Sequence, residues 1–335
     1  MIESVLGPVS AEALGHVSTN EHVLTDSTVL LRPTREGGRL EGPIRPEILG
    51  DLRWSWLSLA DNLALDSADD AVAELRLAVE AGIGTIIEAT SHGMGPHHAE
   101  LPEVARRSGM TIIAAYGSYI DKTLPSWWRD LTEAEMEADF RRALEIAVPG
   151  TNYRAGLLGL LGTSAELTPA ELRALRAAGR AAAANGRPVS IRLDAAARLG
   201  PEVADILIAT ELAPERILFC NIDKVRELDY VTDIVDAGVV VEFAFGSEHH
   251  FGDDAHDAND DERIHFLLDL IAARPSCPIT LSCSVWTKGQ LSRHGGMGYG
   301  HVARRIVPAL ARAGVPAERL RDMLVNRPAL LLDRG

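Results

Sequence analysis

The chain has 335 residues, of which 46% are hydrophobic and 24% are charged, the balance of a globular protein with a full core. Its formal net charge of −15 repels phosphate backbones and anionic lipid, so we expect neither nucleic acid nor a membrane surface as a partner. Three cysteines are too few for a disulfide framework, and the first residues lack the basic and apolar regions of a signal peptide, so we expect a cytoplasmic protein.

Short β-branched runs alternate with longer segments rich in Ala, Leu, Glu and Arg, which is typical of βα units. The predicted strands, in chain order, are His16–Thr19, Gly84–Glu88, Thr111–Ala115, Ala155–Leu160, Pro188–Arg192, Arg216–Cys220, Val239–Phe243 and Pro278–Cys283. Several of these runs are continuously apolar, as strands buried on both faces of a parallel sheet are. Eight such units predict an α/β fold with one domain over residues 1–335, a single (β/α)8 TIM barrel.

Helices are predicted in the segments between these strands. Residues 71–81 carry apolar side chains at helical spacing and end at Gly82. Thr168, followed by Pro169 and Glu171, forms a capping box that predicts the start of a long helix reaching residue 186. Two closing helices are predicted at Val302–Ala313 and Ala317–Val325.

Two stretches interrupt this alternation. Residues 31–69 are long and contain Pro, Gly and two tryptophans, and residues 247–261 are polar and follow a predicted strand. Both are predicted to be loop insertions at the C-terminal face of the barrel, where barrel enzymes build their active sites.

Several motifs follow one another in the order and spacing of a known family. They are Gly7–Val9, Gly15–Val23, Gly82–Glu88, Ala114–Tyr119, Leu281–Ser284, His294–Tyr299, Arg304–Pro308 and Asn326–Ala329. Together they resemble the phosphotriesterase-like branch of the amidohydrolase superfamily along nearly the whole chain. The resemblance implies a barrel with two divalent metals, usually zinc, in its mouth. It also implies a bridging hydroxide that attacks a phosphoester, lactone or ester.

The resemblance also implies six metal-ligand positions: two histidines on the first strand, a carboxylated lysine on the fourth, histidines on the fifth and sixth, and an aspartate on the eighth. In this chain these positions hold Asn20, His22, Gly159, Arg192, Asn221 and Ser284. Glycine has no side chain, neutral amides are weak zinc ligands, and a guanidinium cannot deprotonate and repels a dication. We therefore predict a degenerate centre that holds no dinuclear zinc, and no other cofactor.

Three of these positions suggest chemistry that needs no metal. By the family analogy Arg192 points into the barrel mouth, where its guanidinium is suited to hold a carboxylate or phosphate. The alternative is an internal ion pair with Glu88, Asp194 or Glu242. His22 is predicted to be a general base, the alternative being a relic histidine. Asn221, together with Asn20, is predicted to donate amide hydrogens to a substrate oxygen.

Five further residues complete the predicted site. Tyr116 follows the third strand and is predicted to polarise a carbonyl, the alternative being a pocket wall without a proton role. Residues predicted to contact the substrate follow the second and eighth strands: His92, Ser284, Trp286 and Lys288.

These features predict a metal-independent enzyme that acts on a small anionic carbonyl compound, a lactone, ester or amide, by hydrolysis or by a lyase-type step. Two alternatives stand beside this one: an inactive barrel that binds a ligand or a partner protein, and a hydrolase with one metal. The latter needs His22 and loop histidines or a cysteine as ligands. The resemblance also implies a homodimer.

Overall fold

The computed structural model describes residues 1–251 and 256–334. At its centre, eight parallel strands pair in chain order, each with the next. These strands, here β1 to β8, are His16–Glu21, Ile83–Glu88, Thr111–Tyr116, Leu157–Gly162, Val189–Arg192, Ile217–Cys220, Val240–Ala244 and Ile279–Ser282. The architecture confirms the predicted (β/α)8 TIM barrel.

Side chains help to close the barrel between β1 and β8. The hydroxyl of Thr19 lies 2.9 Å from that of Thr280. The carboxyl group of Glu21 accepts hydrogen bonds from the backbone nitrogens of Cys283, at 2.7 Å, and Val285, at 2.8 Å. Burial raises the pKa of Glu21 to about 7. The closure therefore places an ionisable group at the carboxyl end of the barrel.

One helix follows each of the first seven strands in the ring around the barrel. These helices, here α1 to α7, are Ala68–Glu80, Leu101–Ser108, Glu133–Glu145, Pro169–Asn185, Gly200–Ile208, Leu228–Asp236 and Asp260–Ala273. The apolar faces of the helices pack against the outer face of the strands to form the main hydrophobic core. None of the helices within the described residues is long and apolar enough to cross a membrane.

The helical segment that ends the chain is longer than predicted. It runs through the π-helix Val302–Ile306, the α-helices Val307–Arg312 and Ala317–Arg321, the π-helix Asp322–Asn326 and the α-helix Arg327–Leu332. The second closing helix was predicted to end at Val325, but it continues through the π-helix to Leu332, and Pro328 lies in the first turn after the π-helix.

The capping box at the start of α4 has the predicted geometry. The hydroxyl of Thr168 accepts from the Glu171 nitrogen at 3.2 Å, and the Glu171 carboxyl group accepts from the Thr168 nitrogen at 3.1 Å. At the other end, Gly186 has the left-handed conformation, with φ of 59°, that ends a helix well.

The segment 31–69 leaves the carboxyl end of β1. It contains the short helix Leu49–Trp54 and the strand Ala64–Leu65, which pairs with Thr25–Asp26. Its apolar side chains form a small core of their own, which contacts Phe251 and Trp286. Of the second predicted insertion, residues 252–255 lie outside the described residues.

Candidate active site

A cavity of about 790 Å³ opens at the carboxyl ends of the strands. Pockets of about 300 to 1,000 Å³ are typical of small-molecule sites, and barrel enzymes place theirs at this face. Five of the predicted site residues line it: His22, Arg192, Asn221, Ser284 and Trp286.

His22 is buried, with only 3% of its surface exposed. Its Nδ1 lies 3.0 Å from the hydroxyl of Thr90, which donates to the Glu88 carboxyl group at 2.5 Å. Because the threonine hydrogen goes to Glu88, Nδ1 carries the imidazole hydrogen and Nε2 is left as the basic nitrogen. Burial lowers the pKa of His22 to about 4, so the ring is neutral at neutral pH.

Arg192 ends β5 and is partly exposed to the cavity. Its guanidinium donates to the carbonyl of Leu193. Within residues 1–251 and 256–334, Arg192 forms no ion pair. The three acids predicted as alternative partners have other contacts: Glu88 accepts from Thr90, and Glu242 accepts from Ser282. The third, Asp194, accepts from the backbone of Ala196. Among the described residues, therefore, no carboxylate is paired with the guanidinium of Arg192 at the cavity.

Asn20 lies beneath the cavity rather than in its lining. It is fully buried, and its Nδ2 donates to the Asn221 Oδ1 at 3.2 Å and to the Glu242 Oε2 at 3.3 Å. Asn20 thus holds the carbonyl end of the Asn221 amide and leaves the Nδ2 hydrogens of Asn221 as donors. Asn221 itself has φ of 56°, a left-handed conformation that asparagine tolerates better than most residues do.

Glu242 is a buried acid that the sequence analysis considered only as a partner for Arg192. It accepts hydrogen bonds from the backbone nitrogen of Asn221 at 2.6 Å and from Ser282. Burial and the nearby Asp223 raise the pKa of Glu242 to about 8, so the protonated form predominates at neutral pH. Glu242 is the one polar residue in the otherwise apolar sequence of β7, and this is the signal that could have identified it.

Lys224 is a cavity residue that the sequence analysis missed. Its ammonium contacts the Asp257 carboxylate and lies 5.0 Å from the centre of the Phe251 ring. Burial and the neighbouring Arg192 lower the pKa of Lys224 to about 7. Its sequence signal is its place three residues beyond Asn221, at the carboxyl end of β6.

The structure places Tyr116 and His92 away from the cavity. Tyr116 donates to the Asp139 carboxylate of α3 at 2.6 Å and lies 3.1 Å from the His92 Nε2. It packs against Phe140 of the same helix, on the outer side of β3. Successive strand residues face opposite ways, and it is Tyr119, after the strand, that reaches the cavity.

Lys288 also lies apart from the main cavity. Its ammonium forms ion pairs with Asp61 at 2.7 Å and Asp66 at 3.1 Å, both in the segment 31–69. It therefore ties the loop after β8 to that segment.

The residues at the family's ligand positions supply few metal donors. Within residues 1–251 and 256–334, no three His, Cys, Asp or Glu side chains cluster closely enough to hold a metal ion. Gly159, at the lysine position, has φ of 142°, and a Cβ added there would lie 2.7 Å from the Ser190 carbonyl oxygen. A side chain at this position therefore requires the backbone to move.

The model of the phosphotriesterase family matches residues 1–332. An N-acetyltaurine hydrolase from Danio rerio is 28% identical over 344 residues, which cover 98% of this chain and 96% of the relative. One from Dictyostelium discoideum is 28% identical over 276 residues, which cover 81% of this chain and 75% of that protein.

Two solved structures extend the comparison. A resiniferatoxin-binding protein from Rhodobacter sphaeroides superposes with a TM-score of 0.96 at 28% identity, covering 99% of this chain and 94% of that one. A mutant PTE-like lactonase from Deinococcus radiodurans has a TM-score of 0.79 at 24% identity, covering 99% and 100% of the two chains, and shares the fold. The chain therefore belongs to the phosphotriesterase family and is an enzyme of the hydrolase type.

Proposed function

We propose that this protein hydrolyses the amide bond of a small N-acyl compound with an anionic head group, without the dinuclear metal centre of its family. The observation that carries the proposal is the guanidinium of Arg192, which lines the cavity and has no carboxylate partner among the described residues. N-acetyltaurine, which the named relatives hydrolyse, combines an amide with an acidic group, and this combination suits the cavity.

Recognition of the anion is assigned to the wall formed by the ends of β5 and β6. Arg192, Lys224 and Arg226 all line the cavity there. A guanidinium presents two parallel N–H donors to a carboxylate, sulfonate or phosphate, and such charge-assisted bonds are about twice as strong as neutral ones. Lys224, whose ammonium pairs with Asp257, lies on the same wall.

The residues at the metal-ligand positions do not fit a dinuclear centre. Arg192 brings a fixed positive charge to the place of one histidine, and Gly159 has no room for the bridging lysine. The electrophilic role is therefore assigned to the protein's own cations and amide donors.

His22 is assigned the proton transfers. Its Nε2 takes a proton from a water molecule while the water oxygen bonds to the amide carbon, and the carbonyl oxygen becomes an oxyanion that accepts from the Nδ2 of Asn221. The C–N bond then breaks, and the leaving nitrogen takes the proton from the His22 imidazolium. The products are a carboxylic acid and a free amine.

A second candidate is that this cavity binds a ligand that the protein does not hydrolyse. The similarity to the resiniferatoxin-binding protein, together with the size of the cavity, favours it. The two candidates differ in one observable, product formation.

The test compares N-acetyltaurine with its uncharged analogue N-ethylacetamide on the purified protein, before and after treatment with a chelator. We expect Arg192→Met to lower kcat/KM for the anionic amide by about 100-fold, because a charge-assisted bond to a buried anion is lost, and to change that for the neutral amide little. Arg106→Met, an exposed arginine paired with Glu103, is the matched control and leaves both values unchanged.

Three outcomes would contradict the proposal. A protein that binds anionic amides and never releases an amine is the binding protein of the second candidate. If the chelator abolished the activity and added zinc restored it, the protein would need a bound metal, against the proposal. If Arg192→Met lowered kcat/KM equally for both substrates, Arg192 would not be the residue that recognises the anion.

A further inference from the structure

We infer that the preferred substrate carries a long apolar acyl chain opposite its anionic head group. This inference rests on the proposed function and names the substrate class more closely. The inference is based on the side chains that line the cavity: most large apolar ones lie on one side of the barrel, and most charged ones lie on the other.

The apolar part of the lining comes from one half of the barrel. The loops and strand ends of β8 and β1 to β4 contribute these large side chains: Leu30, Leu57, Met94, Ile120, Leu160 and Trp286. Because strands that follow one another in the chain are neighbours in the barrel, these residues form one continuous wall.

The charged part of the lining comes mostly from the other half. Arg192 and Asp194 follow β5, Lys224 and Arg226 follow β6, and Asp257 precedes α7. Among the larger described side chains, Arg32 lies in the apolar half, and Leu193 and Phe251 lie in the charged half. The ring of Phe251 lies 5.0 Å from the Lys224 ammonium, a cation–π contact within the charged half.

The size of the cavity exceeds what the head group and amide need. About 790 Å³ lies in the upper part of the range of about 300 to 1,000 Å³ that drug-sized ligands occupy. An acetyl amide bound at the charged wall leaves the apolar wall in contact with water. An extended acyl chain covers that wall, and each buried methylene contributes about 0.8 kcal/mol of transfer free energy.

His22 follows β1, in the apolar half, and Asn221 follows β6, in the charged half, so the two residues lie on opposite sides of this division. A substrate with its anion at Arg192 and its acyl chain on the apolar wall crosses the cavity between them. The scissile carbonyl, which joins the two parts, then lies within reach of the residues assigned to proton transfer and oxyanion binding.

The experiment measures kcat/KM for N-acetyl-, N-butanoyl-, N-hexanoyl- and N-octanoyltaurine, each below its micelle-forming concentration. We expect an increase of about twofold to fourfold per methylene, and therefore at least about 60-fold over the six methylenes from acetyl to octanoyl. Equal or falling values along the series would overturn the inference, while hydrolysis of N-acetyltaurine would leave the proposed function standing.

A variant pair tests the wall itself. Ile120→Gln places a polar group on the apolar wall and is expected to lower the octanoyl-to-acetyl ratio of kcat/KM at least about fivefold. Ile146→Gln makes the same chemical change at an isoleucine that is 71% exposed and does not line this cavity, and it should leave the ratio unchanged. A ratio that both variants leave at the wild-type value would contradict the assignment of the wall.

If no member of the series is hydrolysed, calorimetry with the same compounds separates the two proposals. Tighter binding of N-octanoyltaurine than of N-acetyltaurine, by at least about tenfold, supports the polarised cavity although catalysis fails. Equal affinities overturn the inference independently of catalysis.

Discussion

At the scale of single residues, the hydrogen-bond chain from Glu88 through Thr90 sets which nitrogen of His22 is basic. We expect Thr90→Val to lower kcat by about tenfold to a hundredfold with little change in KM, because the imidazole loses the partner that holds its hydrogen on Nδ1. Thr90→Ser keeps the hydroxyl and is expected to restore most of the rate. Steady-state kinetics on N-acetyltaurine measures both, and equal rates in the two variants would mean that Thr90 does not position His22.

Gly159 occupies a position that tolerates no side chain. Its φ of 142° is rarely adopted by other residues, and an added Cβ collides with Ser190. We expect Gly159→Ala to lower the free energy of unfolding by at least about 2 kcal/mol more than Gly82→Ala does. Gly82 also has a positive φ, of 98°, but an added Cβ there meets nothing within 4 Å. Urea denaturation measures the difference, and equal losses would show that the Ser190 contact carries no cost.

At the scale of elements, Glu171 does more than cap α4. Its buried carboxyl group also accepts from the backbone nitrogens of Asp121 and Ser164, each at 3.0 Å, and so fixes the loops after β3 and β4 that border the cavity. We expect Glu171→Ala to cost about 2 to 3 kcal/mol, because several buried donors lose their acceptor.

Glu135 provides the matched control for this prediction. It has the same N3 position in the capping box of α3 but is solvent-exposed, so we expect Glu135→Ala to cost clearly less. Thermal or urea unfolding of the two variants compares them. Equal losses would mean that the loop contacts of Glu171 contribute nothing beyond the helix cap.

The order of the elements was predictable because it depends on local patterns. Apolar runs of strand length, a capping box at Thr168 and a glycine after a helix each predict a boundary within a few residues. The end of the last helix was predicted too early, at Val325, because the π-helix Asp322–Asn326 that continues it has no local sequence signal.

At the scale of the whole molecule, three buried carboxyl groups, in β1, β2 and β7, make stability depend on pH. Burial raises the pKa of Glu21 and Glu88 to about 7 and, with Asp223, that of Glu242 to about 8, from an ordinary value of 4.5. Between these values the folded state binds protons that the unfolded state has lost. Their contribution is therefore complete below about pH 4.5 and is lost as the pH rises through 7 to 8.

A single substitution isolates part of this effect. Glu242→Gln keeps an oxygen that accepts from the Asn221 nitrogen and removes the titration. Relative to the wild type, we expect the variant to gain stability as the pH rises from 5 to 9, by about 1 kcal/mol or more. Urea denaturation across that range measures the difference between the two proteins. A difference that does not change with pH would mean that the carboxyl group of Glu242 titrates as it does in water.

The sequence by itself determined the barrel, the family and five residues of the cavity. This was possible because strand order and helix caps depend on local patterns, and the family's motifs occur at fixed spacings. Only the tertiary structure decided that Tyr116 faces α3 with His92 beside it, that Asn20 donates to Asn221, and that Lys224 lies near Arg192. The physical reason is that packing between segments distant in the chain decides two things. It decides which side of the strand end a side chain lies on, and which group a charged side chain pairs with.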